Sequence, residues 1–443
     1  MQDSHKISFK YINRLAIPAI ISGIAEPLLS ITDTAIVGNM TINPIESLAA
    51  VGIAGSFIAA LVWILAQTRS AISAIVSHYL GAKKLDEISN LPAQIIFINI
   101  FLSVSIYVIT IFFVEFIFKL YNAEGLILNY AVDYYKIRAL GFPLTLFVFS
   151  VFGVFRGMQN TYWPMIISIL GTVLNVGLDF ALVFGIEGFI PAMNIEGAAI
   201  ASVIAQLVMA IMALILMLKK TPFSLKLRLP FNKELEKLLL LSVNLFIRAI
   251  ALNIALYLSN AYATKYGNNY IAAQTIAFQI WLFFAFFIDG YSSVGNIVSG
   301  KLLGEQNYKS LQILSKDLSK YAILVSLFLV AVCGVLYQYI GSVFTKDPLV
   351  TQTFNAIFWM VLLMQPLNAV AFVYDGLFKG LAEAKALRNT LIIATFLGFI
   401  PTLLIADYFD LKLYGIWIAF FVWMFLRAAI LRVKFRKKFL KAV

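Results

Sequence analysis

The sequence predicts an all-α integral membrane protein with twelve transmembrane helices, arranged as two pseudo-symmetric six-helix bundles. Three observations favour this fold class. The 443 residues are 61% hydrophobic and 13% charged, with a mean hydropathy of +0.90, which is too apolar for an ordinary water-soluble domain. Apolar runs of about 20 residues, the length of a membrane-spanning helix, recur along the chain. Part of the sequence also repeats itself 223 residues further on.

The internal repeat divides the chain into two comparable halves. Two separate blocks, 48–88 and 143–157, return as 271–311 and 366–380 with one common offset. Two separated blocks that keep one register indicate a duplication, and tandem halves are the plan of many secondary transporters. The residues that return unchanged are Ala49, Ala50, Ile53, Ala54, Ser70, Leu80, Gly81, Pro143, Leu144, Phe149, Gly153, Phe155 and Gly157.

Each half carries six predicted spans, each long enough to cross about 30 Å of hydrocarbon. They lie at 15–38, 49–76, 93–114, 138–155, 163–184 and 197–218, then at 238–263, 271–298, 321–341, 355–377, 388–406 and 413–431. This predicts an N-terminal lobe (1–218), a basic cytoplasmic linker (219–237) and a C-terminal lobe with a basic tail (238–443). The polar start Met1–Lys6 does not read as a secretory signal, so we expect the first span in the mature protein.

The formal net charge of +12 is unevenly distributed. Lys and Arg concentrate in alternate loops, the linker and the tail, whereas loops 39–47 and 185–196 contain none. This asymmetry predicts a multi-pass protein of the plasma (inner) membrane with both termini in the cytoplasm. The exception is the predicted loop 115–138, which contains Lys119, Lys136 and Arg138. We read the basic charge as orientation and anionic-lipid contact, and expect no nucleic-acid partner.

Several classes of function are disfavoured by what the sequence lacks. A single cysteine, Cys333, rules out a disulfide framework, and two histidines leave no basis for a haem or zinc site built on several imidazoles. No phosphate-binding GxxxxGK[ST] loop is present, so ATP hydrolysis by this chain is not expected. We expect no cofactor and no enzymatic activity.

Ionisable residues inside predicted spans are the best functional candidates, because charge is costly in hydrocarbon. Span one carries Glu26 and Asp33, seven residues apart and therefore on one helix face. Pro27 lies between them and should bend or break the helix. Asn175 and Asp179 stand one turn apart in span five, so their side chains should point the same way.

A second set of polar residues has weaker functional support, because structural pairing explains many of them equally well. Asp289 is a candidate partner for Arg248, and Arg69 could pair with a carboxylate of its own half. Arg69 and Asp375 could also lie near the cytoplasmic surface. The secondary candidates are Arg69, Arg248, Asn253, Asp289, Asn368 and Asp375.

Several short motifs, taken together and in order, point to one known family. They are Pro27–Gly38 (PLLSITDTAIVG), Leu48–Gly52 (LAAVG), Arg69, Gly81–Ala82, Phe155–Gly157 (FRG), Leu174–Asp179 (LNVGLD), Gly197–Ser202 (GAAIAS) and Asp375–Gly380 (DGLFKG). On these residues the chain resembles the multidrug and toxic compound extrusion (MATE) family, in its DinF-like branch. The resemblance covers nearly the whole chain in order, and the combination of motifs is more specific than any single one.

The resemblance implies a MATE-like fold with a central cleft, and export coupled to entry of protons or sodium ions. It assigns cation coupling to Asp33, Asn175 and Asp179, with a possible sodium site on these three residues. Ser202 stands where relatives often carry Thr, and Pro27 stands where relatives bend their first helix. Asn368 departs from the carboxylate of some sodium-coupled relatives, which weakens the case for a second-lobe cation site. Glu26 replaces an expected apolar residue.

The sequence therefore predicts a multidrug or toxic-compound exporter that works as a proton- or sodium-coupled antiporter by alternating access. Burial disfavours the charged form of a carboxyl, so Asp33 could hold a proton until its pocket opens to water. We expect a monomer in a lipid bilayer, with small hydrophobic or cationic organic substrates. A lipid-linked precursor flippase and an organic-acid exporter of the same superfamily remain open as alternatives. A membrane-embedded enzyme would need a catalytic dyad or metal cluster that the His and Cys counts disfavour.

Overall fold

The computed structural model describes residues 7–40, 42–121 and 123–440, and within these ranges the chain is helical, with one isolated antiparallel bridge, Ile186 to Ile190. Seventeen α-helices occur in the described part of the chain. In order they are α1 Phe9–Gly38, α2 Pro44–Leu65, α3 Gln67–Gly81, α4 Leu91–Leu120, α5 Gly125–Arg138, α6 Phe142–Gly157, α7 Tyr162–Val183, α8 Asn194–Lys220, α9 Glu234–Tyr266, α10 Asn268–Gly304, α11 Tyr308–Val335, α12 Tyr337–Phe344, α13 Pro348–Leu363, α14 Gln365–Gly380, α15 Ala384–Ile393, α16 Ile400–Tyr408 and α17 Lys412–Phe435.

The predicted membrane-spanning class is confirmed. Among the described residues, ten helical segments are long and apolar enough to cross a bilayer, and the pair α13–α14 makes an eleventh. The 30-residue α1 lies over the predicted first span, 15–38. Each of the twelve predicted spans thus falls on one helix or on one interrupted helix.

One predicted boundary is wrong. The region 115–138 was predicted as a loop, but α4 continues through Lys119 and α5 begins at Gly125. Lys136 and Arg138 lower the hydropathy of this segment, so a search for apolar runs starts the span too late. The basic residues that disturbed the charge asymmetry are therefore helical, and Arg138 ends α5 beside buried residues of the bundle.

The internal repeat is visible in the helix boundaries. The segment Gly125–Gly157 corresponds, at the offset of 223, to Pro348–Gly380, and both segments are interrupted at the same place. A 3₁₀ turn separates α5 from α6, and a 49° bend separates α13 from α14. Pro143 and Pro366 stand at the second position of α6 and α14. Proline has no N–H to donate back across the break, so it begins a helix more readily than it continues one.

The chain divides into two compact units. The N-terminal unit comprises Ile21–Val76 and Lys84–Leu238, and the C-terminal unit comprises Met1–Ile20, Ser77–Lys83 and Leu239–Val443. α1 and α3 therefore each contribute to both. The predicted lobes 1–218 and 238–443 and the linker 219–237 remain a prediction.

Each unit has its own apolar core. In the N-terminal unit the core joins α2, α4, α5 and the start of α6 around Phe118, Tyr135 and Phe142. In the C-terminal unit it is built on aromatic rings, with Phe420 stacked or tilted against Trp281, Phe399, Trp417 and Trp423. Such large rings bury much apolar surface and tolerate few alternative packings.

Two glycines related by the repeat allow a close helix contact within the C-terminal unit. A Cβ atom added at Gly81 would lie 2.0 Å from the carbonyl oxygen of Lys301, and one added at Gly304 would lie 1.9 Å from that of His78. The residue pairs 81 and 304, and 78 and 301, are each separated by the repeat offset of 223. The contact is therefore reciprocal: each glycine faces the backbone carbonyl of the residue three positions before the other glycine.

We expect Gly304→Ala to lower the stability of the protein by about 1–3 kcal/mol, because the methyl group would meet rigid backbone and force the two helix ends apart. The matched control is Gly334→Ala in the same unit, where an added Cβ meets nothing within 4 Å. Thermal unfolding in detergent measures both. Equal melting temperatures for the two variants would contradict the proposed close contact.

Candidate functional site

The N-terminal unit brings together four polar side chains that the sequence singled out. Asp33 comes from α1, Asn175 and Asp179 from successive turns of α7, and Ser202 from α8. Their exposed fractions are 4%, 0%, 0% and 1%, respectively. The α-helical period places Asn175 and Asp179 on one face, as predicted. Four buried polar groups in one place require mutual hydrogen bonds to offset their desolvation.

The four side chains form one hydrogen-bonded network. The Ser202 hydroxyl lies 3.2 Å from Asp33 Oδ2. With the Asn175 amide nitrogen directed at the carboxyl groups, it lies 3.0 Å from Asp33 Oδ1 and 3.2 Å from Asp179 Oδ2, and the amide oxygen accepts from Ser202 at 3.2 Å. Ser202 has a single hydroxyl proton, so it donates either to Asp33 or to Asn175 at any moment. The hydroxyl can therefore follow a change in the charge of Asp33.

The two carboxyl groups of this network also lie close to one another. The same Asn175 nitrogen lies within hydrogen-bond distance of both carboxyl groups, so Asp33 and Asp179 are close neighbours. Two ionised carboxylates this close and this buried repel one another, which favours a proton on one of the pair. The second oxygen of Asp179, Oδ1, is buried without a hydrogen-bond partner in the described part of the chain. The pair thus favours uptake of a proton and has an open acceptor.

Hydroxyl groups of α1 and α7 form further contacts between these two helices, next to this network. The hydroxyls of Ser22 and Ser168 lie 3.1 Å apart. Thr172 lies one turn before Asn175, and its hydroxyl is 3.0 Å from the Ser168 carbonyl and 3.5 Å from that of Ala25. These contacts set the register between the two helices and hence the meeting of Asp33 with Asn175 and Asp179.

No ion pair among the described residues includes Asp33 or Asp179. Arg138, at the end of α5, attracts both carboxyl groups electrostatically, and Tyr134 lies within electrostatic reach of the same pair. Tyr134 is buried one turn before Arg138 on α5. Sequence reasoning missed both residues, because it placed them in a loop. Tyr134 and Arg138 are four residues apart, and so are the buried residues Ala131 and Tyr135. This helical spacing was the available signal for a buried helix face.

Two predicted residues of α1 are only partly tested. The side chains of Glu26 and Pro27 lie outside what the structure describes. The backbone of α1 is helical from Phe9 to Gly38, so the helix is not broken at position 27. A bend at Pro27 and an acidic contribution from Glu26 remain predictions.

The secondary candidates of the C-terminal unit form a different kind of cluster. Arg248 pairs with Asp375, and Arg427 of α17 pairs with the same carboxylate oxygen. The pairing of Arg248 with Asp289 suggested by the sequence is wrong: Asp289 is exposed and pairs with none of the described residues. Asp375 is 3% exposed and is therefore buried inside the unit, and its depth relative to the cytoplasmic surface stays a prediction. Which acid meets Arg248 depends on helix rotation, which span prediction leaves undefined.

Aromatic rings and a thioether enclose this Arg–Asp–Arg cluster. The Arg427 guanidinium lies 4.8 Å from the ring centre of Trp423 and 5.5 Å from that of Phe372. It also contacts the Met424 sulfur at 3.0 Å. Planar guanidinium groups stack on aromatic faces, which helps to hold the charge in an apolar bundle. Arg427 was not a candidate, because one arginine near the end of the last span reads as part of the basic tail.

The other candidates do not join either cluster. The Arg69 guanidinium lies over the Phe149 ring at 5.2 Å, so it stacks on an aromatic ring where a carboxylate partner was considered. The Asn253 amide donates to the Ala249 carbonyl on its own helix at 2.8 Å. The Asn368 amide donates to Gln365 at 3.1 Å, while its oxygen is buried without a partner in the described part of the chain.

The first network is suited to a proton or a monovalent cation. It offers carboxylate, amide and hydroxyl oxygens, which are the ligands that hard cations prefer. Among the described residues, no group of three or more His, Cys, Asp or Glu side chains could hold a metal ion. Arginine-bound Asp375 is unsuited to this task, since its charge is already compensated twice.

Comparison with known proteins places this geometry in context. The family model described as MatE matches residues 18–181 and 244–404, once in each half. The DNA damage-inducible protein F of Escherichia coli is 25% identical over 440 residues, covering 97% of this chain and 92% of its own length. A probable multidrug resistance protein NorM from Mannheimia succiniciproducens is 25% identical over 447 residues, covering 96% and 93%. A crystal structure of MATE in a bent conformation superposes with a TM-score of 0.90 at 22% identity, covering 98% and 96%, which confirms the predicted fold.

We expect Asp375→Asn to destabilise the protein by about 3–5 kcal/mol, because it leaves two buried guanidinium groups without a counter-charge. Asp407→Asn is the matched control in the same unit, since Asp407 pairs with Lys265, whose side chain is 60% exposed, at 2.7 Å. Exposed pairs contribute little, so this control should melt close to the parent protein. Similar losses of melting temperature in both variants would contradict a compensating role for Asp375.

Proposed function

This chain belongs to the MATE family of membrane transporters, in its DinF-like branch, and on that premise we propose that it exports small organic compounds as a cation-coupled antiporter. Relatives named for multidrug resistance support a multidrug substrate range. We propose protons as the coupling ions and the network of Asp33, Asn175, Asp179 and Ser202 as the coupling site. It lies in a multi-pass membrane protein whose termini we place in the cytoplasm.

The observation that carries this proposal is that two buried carboxyl groups approach one amide nitrogen and have no ion-pair partner among the described residues. A carboxylate at the centre of a membrane helix costs about 2.5–3.5 kcal/mol, so two such groups favour uptake of a proton. Loss of that proton restores a negative charge that an organic cation can neutralise. Proton and substrate then exclude one another at the same group, which is the requirement for exchange.

Coupling also requires that the proton and the substrate prefer different conformers. We propose that protonation lets α1 bend at Pro27 and displaces the substrate, whereas the deprotonated network accepts a substrate from the cytoplasm. The Ser202 hydroxyl supports such a switch, because it can donate either to Asp33 or to Asn175. Electrostatic interaction with Arg138 offers the deprotonated carboxyls partial compensation without permanently occupying them.

The geometry favours this function over the organic-acid alternative. An exporter of anions would need Arg69 or Arg248 to meet the substrate. Arg248 is bound to Asp375, and Arg69 lies over Phe149. The best-formed polar network without a fixed counter-charge is acidic, which suits cationic or neutral hydrophobic compounds.

We expect Asp33→Asn to reduce export in cells or proteoliposomes by at least tenfold, because the amide can neither gain nor lose a proton in the transport cycle. The control is Asp133→Asn, which removes an exposed carboxyl of α5 in the same unit. Ethidium efflux at matched protein levels measures the effect. Export by Asp33→Asn at the parent rate would remove Asp33 from the mechanism.

The choice of ion is tested separately, in proteoliposomes with an imposed proton gradient or an imposed sodium gradient. We expect the proton gradient alone to drive substrate exchange, since a shared carboxyl proton occupies the oxygens that sodium would need. Ser202→Thr should retain transport and Ser202→Ala should lower it, because threonine keeps the hydroxyl that donates to Asp33 and alanine removes it. Transport that follows sodium at constant pH would overturn the proton assignment while leaving the coupling site intact.

A further inference from the structure

The segment between α8 and α9 is an ordered strap, defined here as residues 221–233, within the N-terminal unit. Gln94 of α4 is fully buried and holds it at three backbone positions. The Gln94 amide donates to the Arg228 carbonyl at 2.8 Å and to the Pro230 carbonyl at 3.3 Å, and its oxygen accepts from the Asn232 N–H at 2.8 Å. A flexible connection would not engage a buried amide in this way.

Asn232 and Phe223 secure the two ends of the strap. The Asn232 side chain donates to the Glu87 carbonyl at 2.9 Å and to Asn90 Oδ1 at 2.8 Å. It also accepts from the N–H of Glu234, where α9 begins, at 2.9 Å. Near the other end the Phe223 ring is buried, with 4% exposed. The backbone between these points is therefore fixed in place.

The fixed strap presents apolar side chains outward. Leu227, Leu229 and Phe231 are 46%, 73% and 61% exposed, and they alternate with the exposed residues Lys226, Arg228 and Pro230. Exposing three large apolar groups to water would cost free energy, in proportion to their area. The hydrogen bonds of Gln94 and Asn232 nevertheless fix the strap with these three side chains exposed. This indicates that something other than water covers them.

The location and charge of the strap identify what covers it. It connects the end of α8 at Lys220 with the start of α9 at Glu234, and both helices are long and apolar enough to span a bilayer. The strap therefore lies at a membrane surface. Between Lys219 and Lys237 the chain carries six basic and two acidic side chains. Basic and apolar groups that alternate at a membrane surface match anionic headgroups above an acyl layer.

We propose that this strap is a binding surface for anionic phospholipid. Leu227, Leu229 and Phe231 enter the boundary between headgroups and acyl chains, and Lys226, Arg228 and Lys233 contact lipid phosphates. The Gln94 clamp keeps these side chains at the surface, so the connection between the two halves is anchored to the leaflet. This surface is independent of the coupling site.

The single cysteine of the chain allows a direct test. In a full-length Cys333→Ala background, Leu229→Cys and Phe231→Cys are labelled with a polarity-sensitive fluorophore and reconstituted in vesicles containing lipids that carry a quencher near the headgroup. Ser224→Cys, an exposed polar position of the same strap, is the negative control. Phe112→Cys, 79% exposed on the last third of α4, is the positive control for lipid contact.

We expect quenching at positions 229 and 231 to exceed that at 224 at least twofold, and to increase when phosphatidylglycerol replaces part of the phosphatidylcholine. Replacing Lys226, Arg228 and Lys233 together by Gln should abolish this dependence on anionic lipid, while quenching at position 112 stays constant.

Two results would overturn the proposal. Quenching at 229 and 231 no greater than at 224 would mean that the strap does not enter the lipid. A fluorescence shift that grows with the protein-to-lipid ratio, without lipid quenching, would mean that a second copy of this chain covers the strap.

Discussion

A carboxyl group buried among membrane helices must be protonated, paired with a cation or wetted, and this constraint organises the polar interior of the molecule. The two units meet it differently. Asp375 is held between Arg248 and Arg427, so its charge is fixed and the cluster acts as a structural tie. Asp33 and Asp179 instead lie beside two neutral groups, the Asn175 amide and the Ser202 hydroxyl. Neutral partners can serve either charge state, so this network can gain and lose protons without losing all its hydrogen bonds.

The duplication preserved the helical framework while the chemistry diverged. Thr172 and Thr395 occupy equivalent positions, and their hydroxyls lie 3.5 Å and 3.4 Å from the carbonyls of Ala25 and Ala251, respectively. One turn further on, however, Asn175 corresponds to Gly398, which lies in the π-helical segment Ala394–Phe399. There the Trp423 indole donates to Thr395, and aromatic packing fills the region. The same helix thus carries a titratable network in one copy and a packed apolar core in the other.

The sequence was sufficient for features that depend on periodicity and order. Span positions follow from apolar runs, and the meeting of Asp33, Asn175, Asp179 and Ser202 was predicted by resemblance and is present in the structure. Features set by the rotation of helices in the bundle were not predictable in the same way. Asp289 and Asp375 are equivalent as intramembrane acids in the sequence, yet only Asp375 faces Arg248. Arg138 and Tyr134 were missed because their charge and polarity break an apolar run, although packing later buries that helix face.

The number of protons on the network constrains how many charges the proposed cycle can move. With one proton shared between Asp33 and Asp179, the pair would carry one negative charge. Loss of that proton would add a second negative charge, which a monovalent organic cation would neutralise. The protonated and the substrate-loaded network then carry the same charge, and one proton replaces one cation. Such an exchange moves no net charge, so the membrane potential contributes nothing, and the available free energy is about 1.4 kcal/mol for each unit of pH difference. A neutral substrate would leave the deprotonated network uncompensated, and its export would therefore gain from the potential as well, by about 2.3 kcal/mol per 100 mV.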